Sequence, residues 1–264
     1  MTGSVQLMIE GPLATVTLSH SGKLNAMSRV MWRELQQVFI GIQRSAVRCV
    51  LIGGEGGNFC AGGDISEYAD FRFQEASLRD FHENEVWGGL QAMLNCDVPI
   101  IASLDGNCMG AGVEIASCCD LRLAATTARF GAPIARLGFP MAPRKAALVA
   151  RAVGELTARE MLLTAAVLDA AEMKQRGFLN RVCEPAALAE EVQDLSERIV
   201  SLAPAAARQN KQFFGSNQPE VQGLLASSAM DLIADSAAGA YRYADSAEHR
   251  EGVTAFIDKR APVF

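Results

Sequence analysis

Two apolar runs, residues 47–52 (VRCVLI) and 98–104 (VPIIASL), each lead into a glycine-rich stretch, residues 58–64 (NFCAGGD) and 107–114 (NCMGAGVE). Short β-branched runs bounded by turn residues read as buried strands, and each glycine stretch is expected to open a helix. That order of strand, glycine turn and helix constrains the chain to an α/β architecture. Residues 5–9 and 14–18 form the expected hairpin around Gly11-Pro12. Ser28 is a suitable N-cap for a helix that places Met31, Leu35, Val38, Phe39 and Ile42 on one face. A polar helical stretch spans residues 71–94, a further buried strand 121–125, and a loop rich in Gly and Pro 128–143. From about Lys145 the pattern turns helical, over 146–153, 157–164, 170–177 and 185–202, with one strand at 179–183. The tail is helical, broken at 215–219 and at Gly239, and carries apolar residues suited to packing on a neighbouring subunit. The expected division is a core over residues 1–200 and a helical oligomerisation region over 201–264.

A chain of 264 residues can bury a large core without staples, and 50% hydrophobic with 20% charged residues is an ordinary globular composition. The formal charge is −6 with the basic residues scattered, so no footprint for nucleic acid is visible. Seven cysteines without a CxxC pair read as reduced core residues. His20, His82 and His249 have no partners at metal-ligand spacing, so no metal is expected. The N-terminus lacks a signal-peptide pattern and no 18-residue apolar span occurs, which predicts a cytoplasmic protein without a membrane partner.

Glycines at 62, 63, 110 and 112 let the backbone approach a ligand closely. Ala111 and Glu114 lie three residues apart on one helix face, so a carboxylate sits near whatever oxygen the Ala111 N–H would bind. Surrounded by Met109, Val113 and Ile115, that carboxylate is expected to be poorly solvated and suited to general acid or base work. The alternatives are tight turns with Glu114 as a capping or ion-paired residue, and Asp64 as either a substrate anchor or a helix N-cap. Nucleotide binding is weak, because Ile115 stands where GxGxxG needs its third glycine and no GK[ST] follows. No GxSxG elbow is present.

Further motifs extend the pattern. Lys23-Leu24-Asn25-Ala26-Met27, Phe59 to Ile65, Pro99 to Gly106, Gly110 to Glu114 with Cys119-Asp120, Phe130-Gly131, Gly177 to Val182, and the closing Glu251-Gly252, Phe256 and Lys259-Arg260 follow one another in order. In this the chain resembles the crotonase (enoyl-CoA hydratase/isomerase) superfamily along most of its length. The resemblance implies a spiral of ββα units with a helical C-terminal trimerisation region, assembled as a homotrimer or dimer of trimers. It implies an acyl-CoA thioester substrate, with coenzyme A arriving as part of that substrate. It casts the amides of Ala61 and Ala111 as an oxyanion hole and Glu114 as the acid/base. Lys23, Ala26, Gly62, Gly63, Asp64, Ile65, Ile134, Phe256 and Lys259 would line the acyl-CoA site, the last two serving a neighbouring subunit. Hydratases of the family use a second glutamate after FGxP; this chain reads Phe130-Gly131-Ala132-Pro133-Ile134. That departure leaves weak hydration through Glu114 alone, hydration with a glutamate or aspartate supplied from elsewhere, isomerisation, decarboxylation, thioester hydrolysis, or acyl-CoA binding without turnover. Arg136 and Arg144 follow closely and could meet a carboxylated acyl group or remain solvated loop residues.

Overall fold

The computed structural model describes residues 2–214, 244 and 246–264. Strands β1 (Ser4–Glu10) and β2 (Leu13–Ser19) form the expected antiparallel hairpin, in register from Ser4 opposite Ser19 to Glu10 opposite Leu13. Along β2, Ala14, Val16 and Leu18 are buried while their neighbours are half-buried, the period-two alternation of a strand with one core face. Helix α1 (Arg29–Gln43) begins where Ser28 Oγ accepts the Met31 N–H at 3.3 Å, and it buries Met31, Leu35, Phe39 and Ile42 as one stripe.

Parallel strands β3 (Cys49–Gly54) and β4 (Ile100–Leu104) then extend the sheet from β2. A further short strand, β5 (Asn107–Met109), follows β4 and leads into helix α4 (Ala111–Ser117). Strand β6 (Leu121–Ala125) matches the expected bounds, and β9 (Arg181–Cys183) completes a six-stranded sheet in the order β1-β2-β3-β4-β6-β9. One face, with Val50 and Ile52, joins the main core, while Cys49, Ile101 and Leu123 on the other pack under helix α8 (Leu188–Val200).

Three features differ from the expected pattern. Residues 128–143 are not wholly a loop: strand β7 (Arg129–Gly131) and a 3₁₀ turn (Pro133–Leu137) lie there. With β5 and β8 (Val167–Asp169), β7 forms a second small sheet in the order β5-β7-β8. Strands of three residues are too short to show periodicity. The 71–94 stretch resolves into helix α2 (Glu75–Asp80), a π-helical turn (Phe81–Val86) and helix α3 (Trp87–Leu94). The first glycine stretch opens a 3₁₀ helix (Ile65–Asp70) rather than an α-helix.

The later helices follow the sequence pattern: α5 (Pro143–Val153), α6 (Glu155–Thr164), α7 (Ala170–Gln175) and α8. Helix α9 (Pro204–Phe214) is held to the body of the molecule by Arg208, which pairs with Asp97, and by Lys211, 2.7 Å from Asp120. The expected breaks at 215–219 and Gly239 lie outside the described residues. A last helix (Ala247–Ile257) precedes the C-terminus, where the Phe264 carbonyl accepts from Arg48 at 2.8 Å. Among the described residues, no helix is long and apolar enough to cross a membrane.

Candidate active site

The two glycine stretches lie side by side because their backbones are hydrogen-bonded to each other. Phe59 N–H donates to the Asp105 carbonyl, Cys60 N–H to Asn107 and Met109 N–H to Cys60, each at 2.8 Å, so Cys60 and Cys108 form an isolated parallel bridge. Asn58 Oδ1 adds a side-chain tie, accepting from the Asn107 side-chain amide at 2.7 Å. Gly110, at φ 48° and ψ −106°, then makes the turn into α4, a left-handed backbone that a side chain would strain. The start of α4 is thereby fixed against the first loop.

This arrangement corrects one of the two amide assignments. The Ala61 N–H is already committed to the Leu24 carbonyl at 3.0 Å, so it has no free donor to offer a substrate oxygen. The Gly63 N–H has no acceptor among the described residues, although its flanking groups are tied down: Met27 N–H donates to Gly62 O and Asp64 N–H to Met27 O, both at 2.8 Å. The Ala111 N–H, at the first position of α4, is also without a partner, as helix geometry requires. Gly63 and Ala111 are therefore two amides without a bonded acceptor among the described residues, and both line one cavity.

That cavity encloses about 300 Å³. Its wall is largely apolar, including Trp32, Phe81, Val86, Ile134, Phe139 and Met141. Gly62, Ile65 and Ala61 border it as well, with Ile65 more than half exposed. Glu114 is the only carboxylate among the described residues that line it. Its side chain is 4% exposed, and Oε1 lies 3.0 Å from Nζ of Lys145, itself 10% exposed; Oε2 is buried without a partner. The sequence-based expectation of an apolar setting holds, but it omitted the lysine. The signal was present, because Lys145 falls on the buried stripe of α5 with Leu148, Val149 and Val153. A lysine on the apolar side of an amphipathic helix needs a buried counter-charge.

His82 also borders the cavity. It sits in the π-helical turn beside the cavity, with its Nδ1 buried and unpartnered and its Nε2 3.5 Å from Arg72. Burial, with Lys145 and Arg72 adding repulsion, pushes the imidazole down to about 3, so it is neutral at ordinary pH. The sign of the stability effect follows. Above the unfolded value of about 6.5 neither state is protonated; below it the unfolded chain takes up a proton that the folded imidazole refuses until pH about 3. His82→Gln should therefore lose less Tm than the parent protein between pH 7 and pH 4 in paired melting curves. Parallel losses would remove His82 from the acid sensitivity of the fold.

Other expected site residues are placed away from the cavity lining. Lys23 Nζ donates to Asp64 Oδ2 at 2.6 Å and to Ser66 at 2.8 Å. Asp64 caps the 3₁₀ helix by accepting the Ser66 N–H at 3.1 Å. Burial opposes ionisation of Asp64, but the bonds from Lys23 and Ser66 outweigh it and hold the carboxyl below the usual range. Ala26 is buried, its carbonyl 2.7 Å from His20 Nδ1. Phe256 and Lys259 lie in the C-terminal region and do not reach the cavity within this chain; Phe256 is 85% exposed. Arg136 borders the cavity and donates to the Ala165 carbonyl at 3.3 Å, whereas Arg144 turns to Glu83 at 3.3 Å. All seven cysteines are free thiols, and burial pushes those of Cys49, Cys60 and Cys119 up to about 12. Among the described residues, no group of side chains could hold a metal ion.

Comparison with known proteins bears on this site. The profile of the enoyl-CoA hydratase/isomerase family matches residues 8–264. The short-chain-enoyl-CoA hydratase of Clostridium acetobutylicum is 31% identical over 259 residues, covering 97% of this chain and 95% of that protein. The crotonyl-CoA hydratase of Syntrophomonas wolfei is 30% identical over 258 residues, with 97% and 95% covered. Among solved structures, an enoyl-CoA hydratase/carnithine racemase from Magnetospirillum magneticum superposes with a TM-score of 0.89 at 33% identity, over 100% of this chain and 96% of that one.

Proposed function

The chain belongs to the enoyl-CoA hydratase/isomerase family, and on that premise we propose that it converts an acyl-CoA thioester through an enolate, using Glu114 as its single acid/base. The observation that carries the reading is the cavity itself: two unpaired amides, at Gly63 and Ala111, and one carboxylate whose Oε2 has no partner. Two preorganised N–H donors suit the negative charge that develops on a thioester oxygen.

A 2-enoyl thioester could be hydrated by this set alone. Glu114 Oε2 removes a proton from water as the water oxygen bonds to the β-carbon. The electron pair of the double bond shifts toward the thioester carbonyl, giving an enolate held by the two amides. The protonated Glu114 then returns its proton to the α-carbon, which closes the balance at one added water. Isomerisation would use the same oxygen to move a proton between carbons. Ile134, half-buried in the wall, can contribute neither proton nor base. Coenzyme A would be held where the Lys23 turn meets Asp64. Assembly into a trimer, or a dimer of trimers, would bring Phe256 and Lys259 to a neighbour's site; the exposure of Phe256 supports this.

The test is turnover of a panel of enoyl-, hydroxyacyl- and carboxyacyl-CoA esters, with products identified by mass spectrometry. Crotonyl-CoA belongs in the panel because a relative is named for its hydration. Binding without conversion of any member would leave only an acyl-CoA-binding protein. Ile134→Glu is expected to raise crotonyl-CoA hydration by about 10-fold or more, less than the roughly 10²- to 10⁴-fold of an optimally placed acid/base group. No gain would mean that the cavity geometry, and not only the side chain at 134, departs from a two-carboxylate hydratase.

A further inference from the structure

We propose that Lys145 is a positioning residue for Glu114: its ammonium takes one carboxylate oxygen and leaves the other oxygen as the base. The proposal rests on the acyl-CoA reading above and deepens it by naming a second member of the site.

The geometry carries the argument. Both side chains are nearly excluded from solvent, at 10% and 4% exposure, and the Nζ to Oε1 separation is 3.0 Å. A buried ion pair with an unsatisfied oxygen is a costly arrangement for stability alone, since the pair's desolvation is only recovered when the remaining lone pairs are bonded. Among the described residues, Glu114 Oε2 is left without any bond and is buried beside the cavity. A purely structural pair would not leave that oxygen free, whereas a base must. The two groups come from different helices, α4 and α5, so the contact also sets the distance between the start of α4 and the cavity wall that α5 supports.

No other charge near the carboxylate does this work. Tyr68, Cys60 and Cys118 face Glu114 electrostatically, but burial pushes all three upward, which keeps them neutral. His82, which faces Lys145 from the π-helical turn, is neutral as well. Arg72 acts on His82 and lies over the Tyr68 ring at 4.5 Å. Lys145 is therefore the single cation in contact with the carboxylate among the described residues.

The experiment compares Lys145→Met, Lys145→Arg, Glu114→Gln and the Glu114→Gln/Lys145→Met double variant on crotonyl-CoA, or on whichever panel ester the parent protein converts. Lys145→Met should lower kcat on the order of 10²-fold, as expected for a misplaced catalytic group, with little change in KM. Lys145→Arg should recover much of the loss. The acid limb of the kcat profile should move to higher pH in Lys145→Met, because a carboxylate without its counter-ion is harder to ionise. In the Glu114→Gln background the Met substitution should cost almost nothing more, because the two act as one unit. Additive losses, or an unmoved acid limb, would overturn the proposal. If Glu114→Gln alone leaves turnover intact, the catalytic reading fails first and separately.

A second measurement needs neither turnover nor the Met variant. Carbon-13 NMR of the substrate-free protein, with the Glu114 carboxyl assigned by its loss in Glu114→Gln, should show titration at higher pH in Lys145→Gln than in the parent. Coincident titration curves would overturn the proposal even if no substrate had been found.

Discussion

Glu114→Gln is expected to lower kcat by about 10²-fold or more, the range for loss of a general acid/base, with KM changed far less. The substitution keeps the size of the side chain, so the cavity of about 300 Å³ and its two amides should persist. What disappears is the ability of Oε2 to take and return a proton. The amide cannot do either at any ordinary pH. A cost in stability is expected alongside, because Lys145 loses its counter-charge while remaining nearly buried. Melting curves and steady-state kinetics on the same preparation separate the two effects, since a fraction of unfolded protein lowers the apparent kcat by that fraction and no more. A variant that is fully folded and turns over at the parent rate would exclude Glu114 from the chemistry.

The first half of the fold was legible because its signals are local. The hairpin around Gly11-Pro12, the Ser28 cap and the strand at β6 follow from turn chemistry and from apolar runs of ordinary length. The small sheet of β5, β7 and β8 was not legible. Its strands have three residues each and exist because long-range pairing, Cys108 opposite Phe130 and Phe130 opposite Leu168, brings them together.

The site divides in the same way. Glu114 and Ala111 share one helix turn, so their relation is a matter of spacing. The Ala61 assignment failed for a non-local reason: the Leu24 carbonyl, far away in sequence, takes that N–H, whereas the Gly63 N–H stays free. Lys145 was readable in principle from its place on the apolar stripe of α5, but nothing in the sequence says which carboxylate it meets. Ile134 is a case where the sequence alone was informative, since an isoleucine excludes proton transfer whatever its surroundings.

Gly112→Ala should destabilise the protein and lower kcat/KM together, and here two effects of opposite sign compete. In a helix interior, alanine is favoured over glycine by about 1 kcal/mol, so open space would make the variant more stable. The space is not open. A Cβ at Gly112 would lie 2.6 Å from the Cys60 carbonyl oxygen and 3.1 Å from the Cys60 Cβ, and the closer atom is backbone. Relief requires α4 or the first glycine loop to move, at a cost of roughly 1–3 kcal/mol for overpacking, which outweighs the propensity gain. The movement falls on the ladder that aligns the two amides, because the same Cys60 carbonyl accepts from Met109 N–H at 2.8 Å. A displacement approaching 1 Å there would separate the Gly63 and Ala111 donors from a common oxygen, with a loss on the order of 10²-fold in kcat/KM. Urea unfolding gives the stability change and progress curves give the rate. A variant as stable as the parent, or more so, would mean that α4 shifts without resistance, and full activity would mean that the spacing of the two glycine stretches does not set the reaction.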